Sequence, residues 1–259
     1  MSYIEYLKKN HDYILKNKTN LFEEDINLIK YSNSCNNTRL RLELIPQPIV
    51  GDLQNAKIFF LSLNPGYCED DIILEDDTKP NPNNYPYYRD ILLNQLIQDG
   101  SVNNEMIWIN EKLTSNQKLL TPGAKWWQGK IAQKDPKKSF LERATKESTK
   151  NKDEILDTLA KNVCAIELFP YHSKKMNKRL LLKCKSTQMI KDYVKNALVS
   201  RANRKEILIC VNRSKKEWDI CEGGNIIINN FPRRITFSVQ SDYDYGKKIY
   251  CFSKQIGLF

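Results

Sequence analysis

The chain has 259 residues, of which 41% are hydrophobic and 28% are charged. This suffices for the core of one α/β domain with loop insertions. The formal charge of +10 favours a polyanionic partner such as nucleic acid, although a general richness in lysine produces the same charge. No apolar run approaches the roughly 18 residues of a membrane span, and the polar N-terminus does not resemble a signal peptide.

In chain order, residues 3–17 and 22–31 show helical periodicity and predict N-terminal helices within 1–36. The alternating segment 39–45 (RLRLELI) predicts a half-buried or edge strand. The continuous apolar run 57–63 predicts a strand buried on both faces. The region of about 70–150 then predicts a long insertion: an acidic, Pro- and Asn-rich loop or flap followed by helical segments.

Three further apolar runs, 162–168, 206–211 and 225–229, predict strands, and a helix at about 177–199 separates the first two. Strands that alternate with helices favour a parallel sheet. The predicted fold is therefore a single α/β domain, a three-layer α/β/α sandwich with a central, mainly parallel four-stranded sheet.

The segments that follow the four predicted strands are polar or aromatic, and three of them carry two or more basic residues. The carboxyl ends of parallel strands share one edge of a sheet, where ligands bind. The four segments therefore predict one site, although strand ends are polar in most proteins. They are Asn64–Tyr67, Phe169–Lys175, Asn212–Trp218 and Asn230–Arg234.

The first segment, Asn64-Pro65-Gly66-Tyr67, combines four residue types with distinct uses. Asn64 can orient a water molecule, and Pro65 fixes the exit of the chain. Gly66 permits a positive φ and close approach of a ligand, while Tyr67 offers a flat face for stacking. An ordinary turn has the same composition.

The second segment supplies an acid, two aromatic rings and a histidine. Glu167 closes an apolar run, so it either faces the site or forms a structural salt bridge. Phe169 and Tyr171 are expected to stack on a base. His172 is expected to bind a phosphate or stabilise developing charge, or else to cap a turn.

Basic side chains near these strand ends are predicted to contact DNA phosphates. A stacking platform is a further possibility at Trp126-Trp127, although one of these rings is expected in the core. The DNA-binding candidates are Lys174, Lys175, Arg213, Pro232, Arg233 and Arg234.

Several other chemistries lack their sequence signatures. The chain contains no phosphate-binding glycine loop, no nucleophile elbow and no H-E-x-x-H motif. Its seven cysteines form no C-x-x-C pair and there are only two histidines, which argues against a metal or iron–sulfur site. Cysteines within the apolar runs are predicted to be buried, reduced thiols of a cytoplasmic protein.

The motif LSLNPGY resembles the first motif of the uracil-DNA glycosylase superfamily, in the form found in mismatch-specific thymine/uracil glycosylases. The resemblance covers roughly residues 45–67 and 162–237. It implies that Asn64 positions the water that attacks the sugar. Three positions depart from the family pattern. Ser62 replaces the usual first glycine, and Glu167 stands where the family has an asparagine that reads the base. Phe231-Pro232-Arg233 replaces a histidine-containing loop, and His172 is expected to substitute for it in part.

The run Glu167–Ser173 further resembles a bacterial branch with members that remove modified bases from phage DNA. The resemblance implies a monomeric, cofactor-independent and metal-independent DNA glycosylase that excises a modified pyrimidine. A carboxylate at Glu167 would favour a modified cytosine, since it accepts from cytosine N4 and repels uracil O4. The alternatives are conventional uracil excision, a catalytically inactive DNA- or nucleotide-binding protein, and a nuclease.

Overall fold

The computed structural model of the protein describes residues 1–34, 40–76, 88–109, 121–173, 178–212, 215–229, 237 and 244–259. Four apolar runs form strands, as predicted, because their side chains are buried on both faces. A short fifth strand precedes them. The strands are β1 (Ile49–Val50), β2 (Ile58–Ser62), β3 (Val163–Glu167), β4 (Leu208–Val211) and β5 (Ile226–Ile228).

The sheet has the order β1-β3-β2-β4-β5, with β2, β3, β4 and β5 parallel and β1 antiparallel at the edge. The α/β class and the mainly parallel sheet are therefore confirmed, but the count of four strands is wrong. The segment 39–45 was expected to supply a strand and does not. Of its described residues, Leu40 forms one isolated bridge to Ser173, and a turn closed by the Leu44 amide and the Arg41 carbonyl (3.3 Å) follows.

Helices connect the strands and surround the sheet. Side chains accept hydrogen bonds from free amides at several helix starts, for example Ser2, Thr121 and Asn151. The described helices are α1 (Tyr3–Asn17), α2 (Ile26–Ser34), α3 (Glu69–Glu75), α4 (Tyr88–Asn94), α5 (Pro122–Ile131), α6 (Phe140–Glu147), α7 (Lys152–Asn162), α8 (Lys178–Leu181), α9 (Lys185–Tyr193), α10 (Val199–Asn203), α11 (Lys215–Trp218) and α12 (Asp244–Gln255).

Each face of the sheet has its own apolar cluster. Phe59 and Leu61 pack with residues of α1 and α9, on what is called here the α1 face. Phe60 packs with residues of α5, α6, α7 and α12, on the α5 face. Helices therefore cover both faces, which is compatible with a three-layer α/β arrangement. Part of the predicted insertion belongs to this core, since α5 and α6 supply Trp127 and Phe140.

All six cysteines in the described part of the chain are free, and Cys164, Cys184 and Cys210 are buried, as the apolar runs predicted for Cys164 and Cys210. Across the described ranges, no helix combines the length and apolar character needed to cross a membrane.

Candidate active site at the carboxyl edge of the sheet

The loop that follows β2 holds Asn64 in one orientation. Its Nδ2 donates to the Pro65 carbonyl oxygen (3.0 Å), the Ser173 carbonyl oxygen (3.1 Å) and Ser173 Oγ (3.2 Å). Because three acceptors surround Nδ2, the amide cannot flip without facing oxygen against oxygen. Its Oδ1 has no hydrogen-bond donor among the described residues, so the free end of the side chain is an acceptor suited to a water molecule.

The rest of the loop differs in part from expectation. Pro65 is buried, so it packs the loop and does not present its ring to a ligand. Gly66 is exposed but does not have a positive φ. A Cβ added at Gly66 would meet nothing within 4 Å. Tyr67 is partly exposed, and the Arg41 guanidinium lies 4.9 Å from its ring centroid, so a cation already covers one face of the ring.

His172 does not face the site. Only 2% of the residue is exposed, and its two ring nitrogens lie against backbone carbonyl oxygens, Nδ1 at 2.8 Å from Gly66 and Nε2 at 3.1 Å from Ile45. Burial lowers the pKa of the imidazole, despite the two carbonyl contacts that raise it. The predicted catalytic role is therefore replaced by a positioning role, in which His172 ties the Gly66 loop to the segment before β1.

Phe169 and Tyr171 are also structural in this arrangement. Both are buried on the α1 face, where their rings contact each other at 5.1 Å. The Tyr171 hydroxyl donates to the buried carboxylate of Asp25 (3.0 Å) and accepts from the Phe22 amide (3.2 Å). The expected stacking on a base is corrected, because these rings fasten the N-terminal helices to the sheet.

A row of polar residues instead lines the carboxyl edge. Ser62 pairs with Glu167 in the parallel register of β2 and β3. Asn212 extends the β4 ladder by one residue, since its amide donates to the Leu61 carbonyl (2.9 Å). Side chains alternate along strands, so Ser62, Glu167 and Asn212 share the α5 face with the preceding row that contains Phe60. The sequence analysis placed Asn212 in a strand-end segment of the predicted site but assigned it no role, although a polar residue closes each of these apolar runs.

Glu167 has no hydrogen-bond or cationic partner among the described residues, which removes the salt-bridge alternative there. Its Oε2 is buried, and burial raises the pKa of the carboxyl to about 8. At neutral pH the free protein therefore holds a neutral acid, which donates one hydrogen bond and accepts others. The preference for cytosine over uracil assumed a carboxylate; a neutral acid would also donate to uracil O4, so the base preference stays a prediction.

An open groove borders the loop on the α5 face. Its volume is about 430 Å³, and its lining includes Cys68 and Asp70, just after the loop, and Lys125, Trp126 and Lys130 of α5. Lys130 Nζ lies 5.3 Å from the Trp126 ring centroid. Trp127 is buried against Phe60, so one tryptophan packs in the core, as expected, and the other faces the groove.

The remaining candidates lie outside the described residues. These are Lys174, Lys175, Arg213, Pro232, Arg233 and Arg234. Within the ranges that the structure covers, no three His, Cys, Asp or Glu side chains are grouped to hold a metal ion.

Comparison with known proteins identifies no relative. No protein-family model matches the chain, and neither a curated protein nor a solved structure shows significant similarity to it.

Proposed function

We propose that the protein is a monomeric DNA glycosylase of the uracil-DNA glycosylase superfamily that flips a modified pyrimidine out of DNA and hydrolyses its N-glycosidic bond. The observation that carries the proposal is Glu167 at the carboxyl edge of the sheet, an acid whose Oε2 is buried without a described partner. Leaving such a group unpaired costs about 1–3 kcal/mol. A ligand that pairs with the acid recovers this energy. Ser62 is the register partner of Glu167, and the oriented Asn64 follows Ser62 by two residues.

The chemistry requires a water, a flipped base and stabilisation of the departing base. Asn64 Oδ1 accepts a hydrogen bond from the water and directs the water oxygen to C1′. The C1′–N bond breaks with its electron pair leaving on the base, the water oxygen bonds to C1′, and the water proton passes to solvent or to the base. Glu167, held neutral, donates to the base as negative charge develops, a role that the buried His172 does not fill.

The neutral acid is compatible with two classes of base. With cytosine, its O–H donates to ring N3 and its carbonyl oxygen accepts from N4. With uracil, the same two atoms pair with O4 and N3–H, which keeps conventional uracil excision as the second candidate. We favour a modified cytosine because the run Glu167–Ser173 resembles the branch whose members remove modified bases, and we propose that the groove of about 430 Å³ that begins at Cys68, just after the Asn64 loop, receives the bulky substituent.

The groove also suits the DNA backbone. Lys125 and Lys130 together outweigh the negative charge of Asp70 in the lining, and Trp126 supplies a flat ring beside them. Such a pairing of lysines with an aromatic ring binds phosphates and unstacked bases without reading sequence.

The test uses duplexes that contain uracil, 5-hydroxymethylcytosine or glucosylated 5-hydroxymethylcytosine, with unmodified DNA as control. After incubation and hot alkali, strand breaks at one of the modified bases support the proposal, provided that Asn64→Ala abolishes them. Breaks without alkali, or only with Mg²⁺, would identify a nuclease instead. Tight binding without release of any base would identify an inactive DNA-binding protein.

A further inference from the structure

The polar row holds a second side chain that none of the chemistry above uses. Asn212 is 6% exposed, yet its Oδ1 has no hydrogen-bond donor, and the described part of the chain supplies no partner for the rest of its amide. Asn10 shows what a structural asparagine does in this fold. It is also buried, but it donates to the Tyr6 carbonyl (2.9 Å) and accepts from the Glu23 amide (2.9 Å).

Asn212 and Glu167 stand on either side of Ser62. Both occupy the register position of Ser62, on the two strands that flank β2. Adjacent strands lie about 4.8 Å apart, so the two backbones are separated by roughly 10 Å, with one small side chain between them. Both flanking side chains are long enough to reach toward that gap.

The contrast with the preceding row indicates a slot. Two residues earlier on the same face, Phe60 fills the central position and contacts Trp127 and Phe237, with ring centroids 5.3 Å and 5.2 Å away. At the edge the central residue is Ser62, which is only partly buried. The edge row therefore has a small residue at its centre, a polar residue on each side and an aromatic ring in the row beneath it. The three edge residues, Ser62, Glu167 and Asn212, are together called the Ser62 slot.

The polar atoms of the slot define the ligand. An unpaired acid and an unpaired amide oxygen disfavour a phosphate, and the slot residues include no cation. A metal ion is also disfavoured, because the slot offers one carboxyl group and two neutral side chains. A flat heterocycle with hydrogen-bond donors and acceptors along its rim matches both polar residues and the narrow gap between them.

We propose that Asn212 is a second specificity-determining residue, which contacts the flipped pyrimidine from the side of the Ser62 slot opposite Glu167. The proposal rests on the proposed glycosylase function and adds to it. Glu167 pairs with one edge of the ring, and the Asn212 amide pairs with a donor or acceptor on another edge. Base identity then depends on two strands, β3 and β4, rather than on Glu167 alone.

The key variant is Asn212→Leu, with Asn212→Ala in reserve if the branched side chain does not fit. Removing a buried polar atom that has no partner is nearly neutral for folding or stabilising. The melting temperature is therefore expected to be unchanged or higher, whereas kcat/KM for base release falls about tenfold or more, the loss of one hydrogen bond of about 1.4 kcal/mol. Asn212→Asp, which exchanges two donors for acceptors, is expected to change the ratio of rates on cytosine- and uracil-type substrates.

The matched control is Asn104→Leu. Asn104 is 5% exposed and also has an Oδ1 without a partner, but it precedes Met106, whose amide bonds to Ala160 near the amino end of β3. This variant loses the hydrogen bond from Nδ2 to the Ile97 carbonyl, so it is expected to lower stability and to leave kcat/KM unchanged.

Binding of free cytosine and free uracil, measured by NMR on the full chain, separates the slot from the reaction. Base release with an unchanged rate and unchanged substrate ratio in Asn212→Leu and Asn212→Asp would overturn the slot and leave the glycosylase intact. Binding of a free pyrimidine that weakens about tenfold in Asn212→Leu, without release of any base from DNA, would support the slot and contradict the glycosylase. Neither binding nor release would overturn both.

Discussion

The raised pKa of the Glu167 carboxyl predicts a pH dependence of stability that does not depend on any substrate. Burial moves its pKa from 4.5 to about 8, and no described residue offsets the shift. That difference in pKa corresponds to about 5 kcal/mol, because each tenfold change in proton affinity is worth about 1.4 kcal/mol. Because the residue is partly exposed to solvent, which weakens the effect, we expect about 2–5 kcal/mol of pH-dependent stability.

The direction follows from proton linkage. The folded protein binds this proton more tightly than the unfolded chain, so the contribution to stability is present in full below the unfolded pKa of 4.5. It falls as the pH rises from there and is lost above about 8. Glu167→Gln keeps the shape of the side chain and removes the ionisation. The variant is therefore expected to gain stability relative to the wild type as the pH rises.

The assay is urea unfolding of both proteins at about pH 5, about pH 7 and about pH 9, with the difference in unfolding free energy compared across pH. Subtraction cancels the other titrating groups, since they are common to both proteins. A difference that grows by about 2–5 kcal/mol between the extremes supports a buried neutral acid. A difference that stays constant within about 0.5 kcal/mol would refute the reasoning, because Glu167 would then titrate normally in the folded state.

Three further predictions concern the loop, the core and the groove. Gly66→Ala should keep or slightly raise the melting temperature, because its Cβ meets open space, yet reduce base release at least about tenfold if DNA approaches there. Gly51→Ala should instead lower the melting temperature, because Gly51 has a φ of 116° and an added Cβ would lie 2.5 Å from a backbone oxygen. Two results contradict this: a loss of activity in Gly66→Ala although bound DNA does not protect the Gly66 amide from hydrogen exchange, or a Gly51→Ala variant as stable as the wild type. Tyr171→Phe should cost about 1–3 kcal/mol in urea unfolding but leave the activity per folded molecule unchanged, and an altered base preference would restore a base-binding role. Replacing Lys125 and Lys130 with alanine should reduce the slope of log binding constant against log salt by about 1.8, whereas an unchanged slope would remove the groove from the DNA interface.

Apolar runs made the sheet predictable. A strand buried on both faces shows a continuous hydrophobic segment, so β2, β3, β4 and β5 were found close to their observed ends. The edge strand β1 has only two residues, Ile49–Val50, which is too short for any periodicity. The alternating segment 39–45 has the pattern of a strand but forms a turn after Leu40. Alternation shows which residues could share a face, but it does not show whether a neighbouring strand is available to pair with.

The candidate site was only partly predictable, for a related reason. The shared edge of parallel strands predicted that Asn64 and Glu167 follow neighbouring strands at one edge of the sheet, whereas the role of Asn64 stays a prediction from its motif. The structural role of Tyr171 could not be predicted, because its partner Asp25 is remote in sequence and contacts it only in the folded chain. The alignment of Asn212 with Ser62 depended likewise on strand register, which a single sequence does not contain.

The measurement that addresses the proposed glycosylase most directly is release of a free base in H₂¹⁸O. Duplexes with each modified pyrimidine are incubated with the wild type and with Asn64→Ala, and both products are weighed by mass spectrometry. We expect one intact free base and one ¹⁸O atom at the C1′ hydroxyl of an otherwise unbroken strand, with both products absent for Asn64→Ala. Label in a terminal phosphate, or no free base from any duplex, would contradict the proposed function.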